Sequence, residues 1–252
     1  MRLAADAVRA GARLVVAVGG DGTLSEVANG VTTPEAAEPR TPVAAILTGR
    51  GRDACRNLGI RRDSLEAARR VVEGTAVAVD LGLAEWAGGH RFFVNAFGAG
   101  FDAEVAARAA AGRGGGMLPY LRAVAMSVRG YRPVEMTLEI DGTRRASAPA
   151  AAVIVSNGPC FGGGMRIAPP AEPVDGVLDL VELGPFQRWE LVCWLPTIYW
   201  GGHLRSRHVR VSRVRHVRLE TRAPITLQMD GELCGTTPVS IRVCPGRLLL
   251  RR

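Results

Sequence analysis

Residues 3–12 place alanine, valine and leucine at helical spacing, and residues 14–18 follow as a short unbroken apolar run of the kind found in buried parallel strands. Residues 24–30 read as a second helix, 42–47 as a second buried strand, and 64–73 as a third helix that Gly74 is placed to stop. This αβαβα order predicts a small doubly wound α/β layer. After Gly74 the period shortens to two, with Val77, Val79, Leu81 and Leu83 alternating with small or acidic residues. Further strands are predicted at 91–96, 134–140, 151–156, 178–183, 209–211, 217–220, 225–229, 239–243 and 248–250, with Asp141-Gly142 as a hairpin turn. Helical insertions at 119–129 and 187–199 interrupt them. The predicted fold class is α/β plus β: an α/β domain over 1–75, then a β-sandwich domain over 76–252.

The 252 residues are 47% hydrophobic and 22% charged, which excludes disordered, collagen-like and disulfide-scaffold classes. Every one of the 32 basic Lys/Arg positions is Arg, so mechanisms that need an amine, such as Schiff-base chemistry or a Walker-A lysine, are excluded too. The net charge of +8 suits an anionic partner: a nucleotide, a nucleic acid or an acidic membrane surface. In the densest basic stretch, 205–218, Arg alternates with Val and His. That pattern reads first as exposed strand faces, then as a patch facing anionic lipid; a nucleic-acid groove comes last because stacking aromatics are missing. Five cysteines without a Cys-x-x-Cys pair indicate neither a disulfide framework nor a zinc site, so the expected location is cytoplasmic. The apolar segment 189–200 carries Glu190 and Pro196 and is too short to span a bilayer, so the expected membrane contact is peripheral.

The segment most informative about chemistry is Val15 to Val27: a buried strand, a glycine loop and a helix start. Gly19, Gly20 and Gly22 let backbone N–H groups approach phosphate oxygens, and the helix N-terminus adds positive potential. Asp21 in the same loop would repel phosphate unless Mg²⁺ lies between them. Thr23 and Glu26 also have the spacing of a capping box.

Val18-Gly19-Gly20-Asp21-Gly22-Thr23-Leu24-Ser25-Glu26-Val27 resembles the nucleotide motif of the diacylglycerol kinase catalytic domain, shared by sphingosine kinases, ceramide kinase and bacterial lipid kinases. Gly49-Arg50-Gly51-Arg52-Asp53-Ala54-Cys55-Arg56-Asn57-Leu58-Gly59 is similar to that family's Gly-Thr-Gly-Asn-Asp-Phe-Ala-Arg segment. Asn157 to Gly164 with Ala168-Pro169 and Asp175-Gly176 resembles its β-domain loop, and Asp230-Gly231-Glu232 its late Asp-Gly-Glu. The glycine-acid motif alone also occurs in NAD kinases; the ordered set of four is more specific.

The resemblance implies an ATP-dependent lipid kinase acting on a hydroxyl of diacylglycerol or a related lipid. Gly19, Gly20, Asp21, Gly22, Thr23 and Glu26 would hold ATP phosphates and Mg²⁺, with Gly49 and Arg50 also facing the nucleotide. Glu232 would be the general base, with Asp21 the other candidate. Asp53 would sit near the acceptor hydroxyl, though it also stands where it could cap a helix over 54–58. Asp175, with Glu172 and Val177, would hold a structural Mg²⁺. Two departures stand out: Arg50 and Arg52 replace the family's Thr and Asn, and Met1 falls inside the helix that precedes the first motif, without the family's earlier strand–loop–helix–strand. The alternatives are an NAD kinase-like enzyme and an inactive lipid- or nucleotide-binding remnant.

Overall fold

A computed structural model describes residues 1–34, 41–49, 51–60, 63–111 and 117–252. The first part runs α1 (Arg2–Arg9), β1 (Val15–Gly19), α2 (Asp21–Val31), β2 (Val43–Leu47), α3 (Asp53–Leu58) and α4 (Ser64–Glu73). β1 and β2 pair in parallel, Val15 opposite Val43 through Gly19 opposite Leu47. The long strand β3 (Ala76–Trp86) and β4 (Gly89–Phe93) follow as an antiparallel hairpin. Gly82 lies opposite Phe93 in that hairpin, and a Cβ on Gly82 would occupy the space of the Phe93 ring.

The apolar run predicted as one strand over 91–96 divides. β4 ends at Phe93 in the first sheet, and β5 (Ala96–Gly100) begins in the second. The chain then forms α5 (Phe101–Ala111), an Ala-rich helix that the apolar pattern does not announce, and α6 (Met117–Gly130). Next come β6 (Val134–Ile140), β7 (Thr143–Arg144), β8 (Ala148–Ala150), β9 (Ala152–Ser156) and β10 (Leu178–Leu183). The β6–β7 turn is the predicted Asp141-Gly142, with φ of 47° and 82°, as a tight two-residue hairpin turn requires. α7 (Arg188–Trp194) and a 3₁₀ turn (Leu195–Trp200) precede β11 (Val209–Val214), β12 (His216–Thr221), β13 (Thr226–Met229), β14 (Glu232–Thr236) and β15 (Val239–Arg251).

β15 is one strand where the sequence reads as two. A bulge between Cys244 and Leu248, around Pro245-Gly246, interrupts the apolar alternation without ending the strand. Both halves pair with β3; the first also pairs with β12, and Leu250 pairs in parallel with Val43 of β2. The α/β layer and one sheet of the sandwich are therefore continuous. The second sheet has the order β11-β10-β9-β5-β13-β14. This is the expected class, an α/β layer followed by a β-sandwich.

Three apolar layers hold the elements. Leu24, Val43, Leu58, Leu81 and Leu248 pack between the first helices and their sheet; Phe93, Phe97, Leu138, Val155, Leu180, Val217 and Leu227 fill the space between the two sheets. Phe101, Tyr131, Ile154, Phe161, Leu191 and Ile198 join the helices to the outer face of the second sheet. β9 is buried at every position because both of its faces are covered.

A polar tie joins these layers at Asp80, which is only 3% exposed. Its Oδ1 accepts the Gly246 N–H from the β15 bulge and its Oδ2 the Gly176 N–H from the turn before β10, both at 2.7 Å. Asp80→Ala leaves two partly buried N–H groups without their acceptor, so a stability loss on the order of 2 kcal/mol is expected in urea unfolding. A change below about 0.5 kcal/mol, the range of an ordinary surface substitution, would show that water replaces the carboxylate freely.

Candidate active site

β1 delivers the glycine loop, and α2 begins at Asp21 with Gly20 as its N-cap. Close backbone approach explains the glycines. A Cβ on Gly19 would strike the Thr23 side chain, and one on Gly49 would strike the Gly20 Cα. The Thr48 and Gly49 N–H groups donate to the Gly19 carbonyl at 2.8 and 3.3 Å, so the loop after β2 lies back to back with the loop after β1.

The helix starts three residues earlier than a Thr23 cap needs, so the Thr23–Glu26 capping box does not form. Thr23 instead packs against Gly19, and the Glu26 carboxylate faces the N-terminal ammonium of Met1 at 3.5 Å.

Asp21 reaches across to the next loop. Its Oδ2 accepts the Asp53 N–H at 3.1 Å and its Oδ1 the Ala54 N–H at 3.2 Å, which caps α3 from outside. Asp53, at the first position of α3, does not cap that helix. Its Oδ2 accepts the Gly163 N–H at 2.7 Å and its Oδ1 takes Arg56 at 2.9 Å. Burial raises the Asp53 carboxyl above the ordinary range; the Gly163 N–H opposes that shift, and the Asp21 charge adds to it. Arg52, the residue before, has left-handed backbone with φ of 65°, a conformation Asn adopts more readily than Arg. Arg50 lies outside the described residues.

Glu232 arrives from the opposite side. The turn between β13 and β14 is Asp230-Gly231, both at positive φ, and Glu232 opens β14. Its Oε2 accepts from Arg91 Nη2 at 2.6 Å, while its Oε1 is 3.5 Å from where a Cβ on Gly22 would stand. Arg91 is largely buried and Glu232 is 42% exposed, so the guanidinium fixes one oxygen and leaves the other toward the α2 N-terminus.

Beside these residues lies a cleft of about 320 Å³, lined by Asp21, Asp53, Asp102, Phe161, Asp230 and Gly231 among others. Asp102, Val105, Phe161 and Met165 also line a smaller apolar cavity beneath α5 and the 3₁₀ turn. Asp102 on α5 accepts from Gln228 Nε2 at 2.6 Å, and Gln228 Oε1 accepts the Gly231 N–H at 2.9 Å, linking it to the Asp230-Gly231 turn. Burial pushes the Asp102 carboxyl up to about 6, against the Gln228 hydrogen bond.

Residues 1–84 match the family described as the diacylglycerol kinase catalytic domain, and residues 95–251 match the YegS C-terminal NAD kinase beta sandwich-like domain. A diacylglycerol kinase of Mycobacterium tuberculosis is 30% identical over 99% of this chain and 80% of its own length. The chain belongs to the diacylglycerol kinase family. A diacylglycerol kinase of Bacillus subtilis is 28% identical over 89% of the chain and 73% of its own length. The crystal structure of a diacylglycerol kinase from Bacillus anthracis superposes with a TM-score of 0.70 at 21% identity, covering 98% of this chain and 80% of that one, which shows the shared fold.

Of the family residues identified by motif, the structure brings Gly20, Asp21, Gly22, Asp53 and Glu232 to one place. Gly19, Thr23 and Gly49 shape the loop from behind, and Glu26 sits on the α1 side of α2. Glu172, Asp175 and Val177 lie apart from the cleft, on the turn entering β10. There Asp175 Oδ1 accepts the Val177 N–H at 3.2 Å, and its other oxygen pairs with Arg213. Asp179 stands beside them with its carboxyl raised to about 6, by burial first and by Asp175, with Arg213 opposing. Among the described residues no three His, Cys, Asp or Glu side chains converge closely enough to hold a metal unaided. At Asp21 the donors still fit Mg²⁺, which takes one or two carboxylates together with substrate phosphates. At Asp175 the donors are also hard oxygens, but Arg213 already supplies positive charge and would compete with an ion.

Asp102 and Gln228 line the cleft but belong to none of the motifs. Their placement depends on α5 and on a contact between sequence-distant elements.

Because its folded-state value lies above the ordinary 3.8, Asp102 contributes stability fully present below about pH 3.8 and lost as pH rises through about 6. The full loss is on the order of 3 kcal/mol by pH 8, about 2 kcal/mol of it above pH 4.5. Asp102→Asn removes it, so urea unfolding at pH 4.5 and pH 8 should show the variant gaining on the wild type at the higher pH. Parallel pH profiles for the two proteins would refute the assignment.

Proposed function

We propose that this chain is an ATP-dependent lipid kinase that transfers the γ-phosphoryl group of Mg-ATP to a hydroxyl of diacylglycerol or a related lipid. The observation that carries this reading is the meeting of Glu232 with Gly22: a half-exposed carboxylate stands beside a glycine-rich helix N-terminus, next to the cleft that Asp21 and Gly231 line. A helix start with close-approaching glycines suits phosphate, and a carboxylate beside it suits the proton of an attacking hydroxyl.

Residues 1–75 are assigned the nucleotide side and 76–252 the acceptor side. Gly19, Gly20, Gly22 and Thr23 shape the phosphate loop; Gly49 and Arg50 border it, and Glu26 is retained as an outer ligand. Mg²⁺ bound with the nucleotide would neutralise phosphate charge beside Asp21. A second, structural Mg²⁺ is assigned to Glu172, Asp175 and Val177. Glu232 Oε1 takes the hydroxyl proton as that oxygen bonds to phosphorus and ADP leaves, while Arg91 holds Oε2. Asp53 and Asp102, both raised by burial, can each hydrogen-bond a glycerol hydroxyl, and the apolar cavity beyond Asp102 suits the start of an acyl chain. The protein is assigned to the cytoplasm with peripheral contact to anionic membranes.

Glu232→Gln keeps size and polarity but removes the proton acceptor. Radiolabel transfer to diacylglycerol should show kcat lower by roughly 10²–10⁴-fold with the KM for ATP little changed. Asp21→Asn should weaken Mg-ATP binding as well as turnover. Near wild-type turnover in Glu232→Gln would move the base to Asp21, and labelling of NAD but of no lipid would reject the lipid-kinase reading.

Chelation supplies a separate check on the metal. EDTA should abolish turnover, and adding Mg²⁺ back should restore it. Full activity without a divalent ion would remove Mg²⁺ from the nucleotide site.

A further inference from the structure

The helical layer outside the second sheet carries an apolar surface that the core does not use. Three of the four tryptophans fall between residues 189 and 200 in a chain with only 5% aromatic residues. One side of this segment faces inward: Leu191 and Ile198 are buried, and Leu195 and Ile198 line the apolar cavity that adjoins the cleft. The other side exposes Trp189 at 67%, Val192 at 60% and Trp200 at 65%. Met126, on the neighbouring α6, is exposed at 46%. Scattered single apolar residues on a surface need no explanation, but two indoles and a valine together do.

The polar neighbours divide by sign. Glu190 is turned inward, where its carboxylate accepts the Gln187 N–H and faces His208. Arg188 and Arg205 are exposed, with no carboxylate partner among the described residues. On the strands that follow, Arg213 pairs with Asp175 and Arg218 with Glu220, while Arg210 is exposed. Indole rings favour the headgroup level of a bilayer, and guanidinium groups beside them favour lipid phosphate.

We propose that the exposed face of α7 and the following 3₁₀ turn, Trp189, Val192 and Trp200 flanked by Arg188 and Arg205, docks this chain on an anionic lipid bilayer. The inner side of the same turns walls the cavity next to the cleft, so docking by this face brings the acceptor side of the site against the membrane. That purpose rests on the lipid-kinase reading; the docking itself does not.

The test uses the full chain with vesicles of phosphatidylcholine alone or with one-third phosphatidylglycerol. Wild type is expected to sediment with the anionic vesicles, less so as salt rises. Its indole emission should shift blue and be quenched by phospholipid brominated along the acyl chain. Trp189→Ser/Trp200→Ser should lose at least tenfold in vesicle affinity and most of the quenching. Its melting temperature and its turnover of a dissolved short-chain diacylglycerol should stay unchanged. Equal vesicle binding by the double variant, or no quenching of the wild type, overturns the proposal. A wild-type dimer that becomes a monomer in the double variant, with no vesicle binding by either, would overturn it in favour of a second copy on this face. Absence of turnover of the dissolved substrate by the wild type rejects the kinase reading alone, because binding and quenching judge the docking face without catalysis.

Discussion

The chain must cross from one sheet to the other between Phe93 and Ala96, and a backbone at such a crossing has no ladder to complete its hydrogen bonds. Each buried N–H or carbonyl left open there would cost about 1–3 kcal/mol. Asp230 closes the donor side: its carboxylate accepts the N–H groups of Val94, Asn95 and Ala96 at 2.9, 2.8 and 3.2 Å. Asn157 closes the acceptor side, with its side-chain amide on the Val94 carbonyl and its backbone N–H on that of Asn95. Asn57 adds a side-chain bond to Asn95 Oδ1 and two to the backbone of Cys160. The cleft inherits its geometry from these bonds. Asp230 holds the hairpin that carries Glu232, and Asn57 anchors the helix that carries Asp53 and that Asp21 caps.

Acidic residues around the cleft are sorted by what already binds them. Asp230 has its oxygens taken up by three amides and is buried enough that its carboxyl is still raised, burial outweighing those bonds. Asp21 holds two amides at the start of α3, Asp53 spans Arg56 and Gly163, and Asp102 takes the amide of Gln228. Glu232 and Asp102 each have a donor on one oxygen; the other oxygen of Glu232 stands beside Gly22 at the start of α2, whereas Asp102 lies on α5. What separates Glu232 is its approach to the helix start, and spacing along the chain would not reveal that.

Local chemistry was legible in the sequence and tertiary chemistry was not. Gly19, Gly20 and Gly22 announce a close-approach loop because the requirement lies in the loop's own backbone. Asp141-Gly142 announces its hairpin for the same reason. The capping box failed although its residues are present, because helix α2 begins at Asp21 and Thr23 is already inside it. The crossing at 94–95 was invisible because Phe92, Phe93 and Val94 are all buried; Phe92 faces one core and Phe93 the other, so the apolar run has no break where the chain changes sheet. Asp102 could not be assigned without α5, whose alanines carry little periodic signal. The segment 187–199 did read as helical, but its apolar residues fall on both sides, and only the packed structure separates those that line a cavity from those left in solvent.

The absence of lysine, which in the sequence only excludes mechanisms, acquires a positive meaning in the fold. A guanidinium presents several N–H groups in a fixed plane, so it can hold a carboxylate from one side without enclosing it. Arg91 does this at Glu232. Arg56 does more: its Nη1 donates both to the Gly51 carbonyl and to Asp53 Oδ1 at 2.9 Å, stitching the loop before α3 to the acid on that helix. Gly164 leaves the room for it, since a Cβ there would stand 3.0 Å from the Arg56 guanidinium carbon. An ammonium on a flexible stem is a point charge and would fix neither the loop nor the orientation of the carboxylate as closely. Arg91 and Arg56 are thus spent on holding acids in position, and the α2 N-terminus beside them carries backbone amides rather than a cationic side chain.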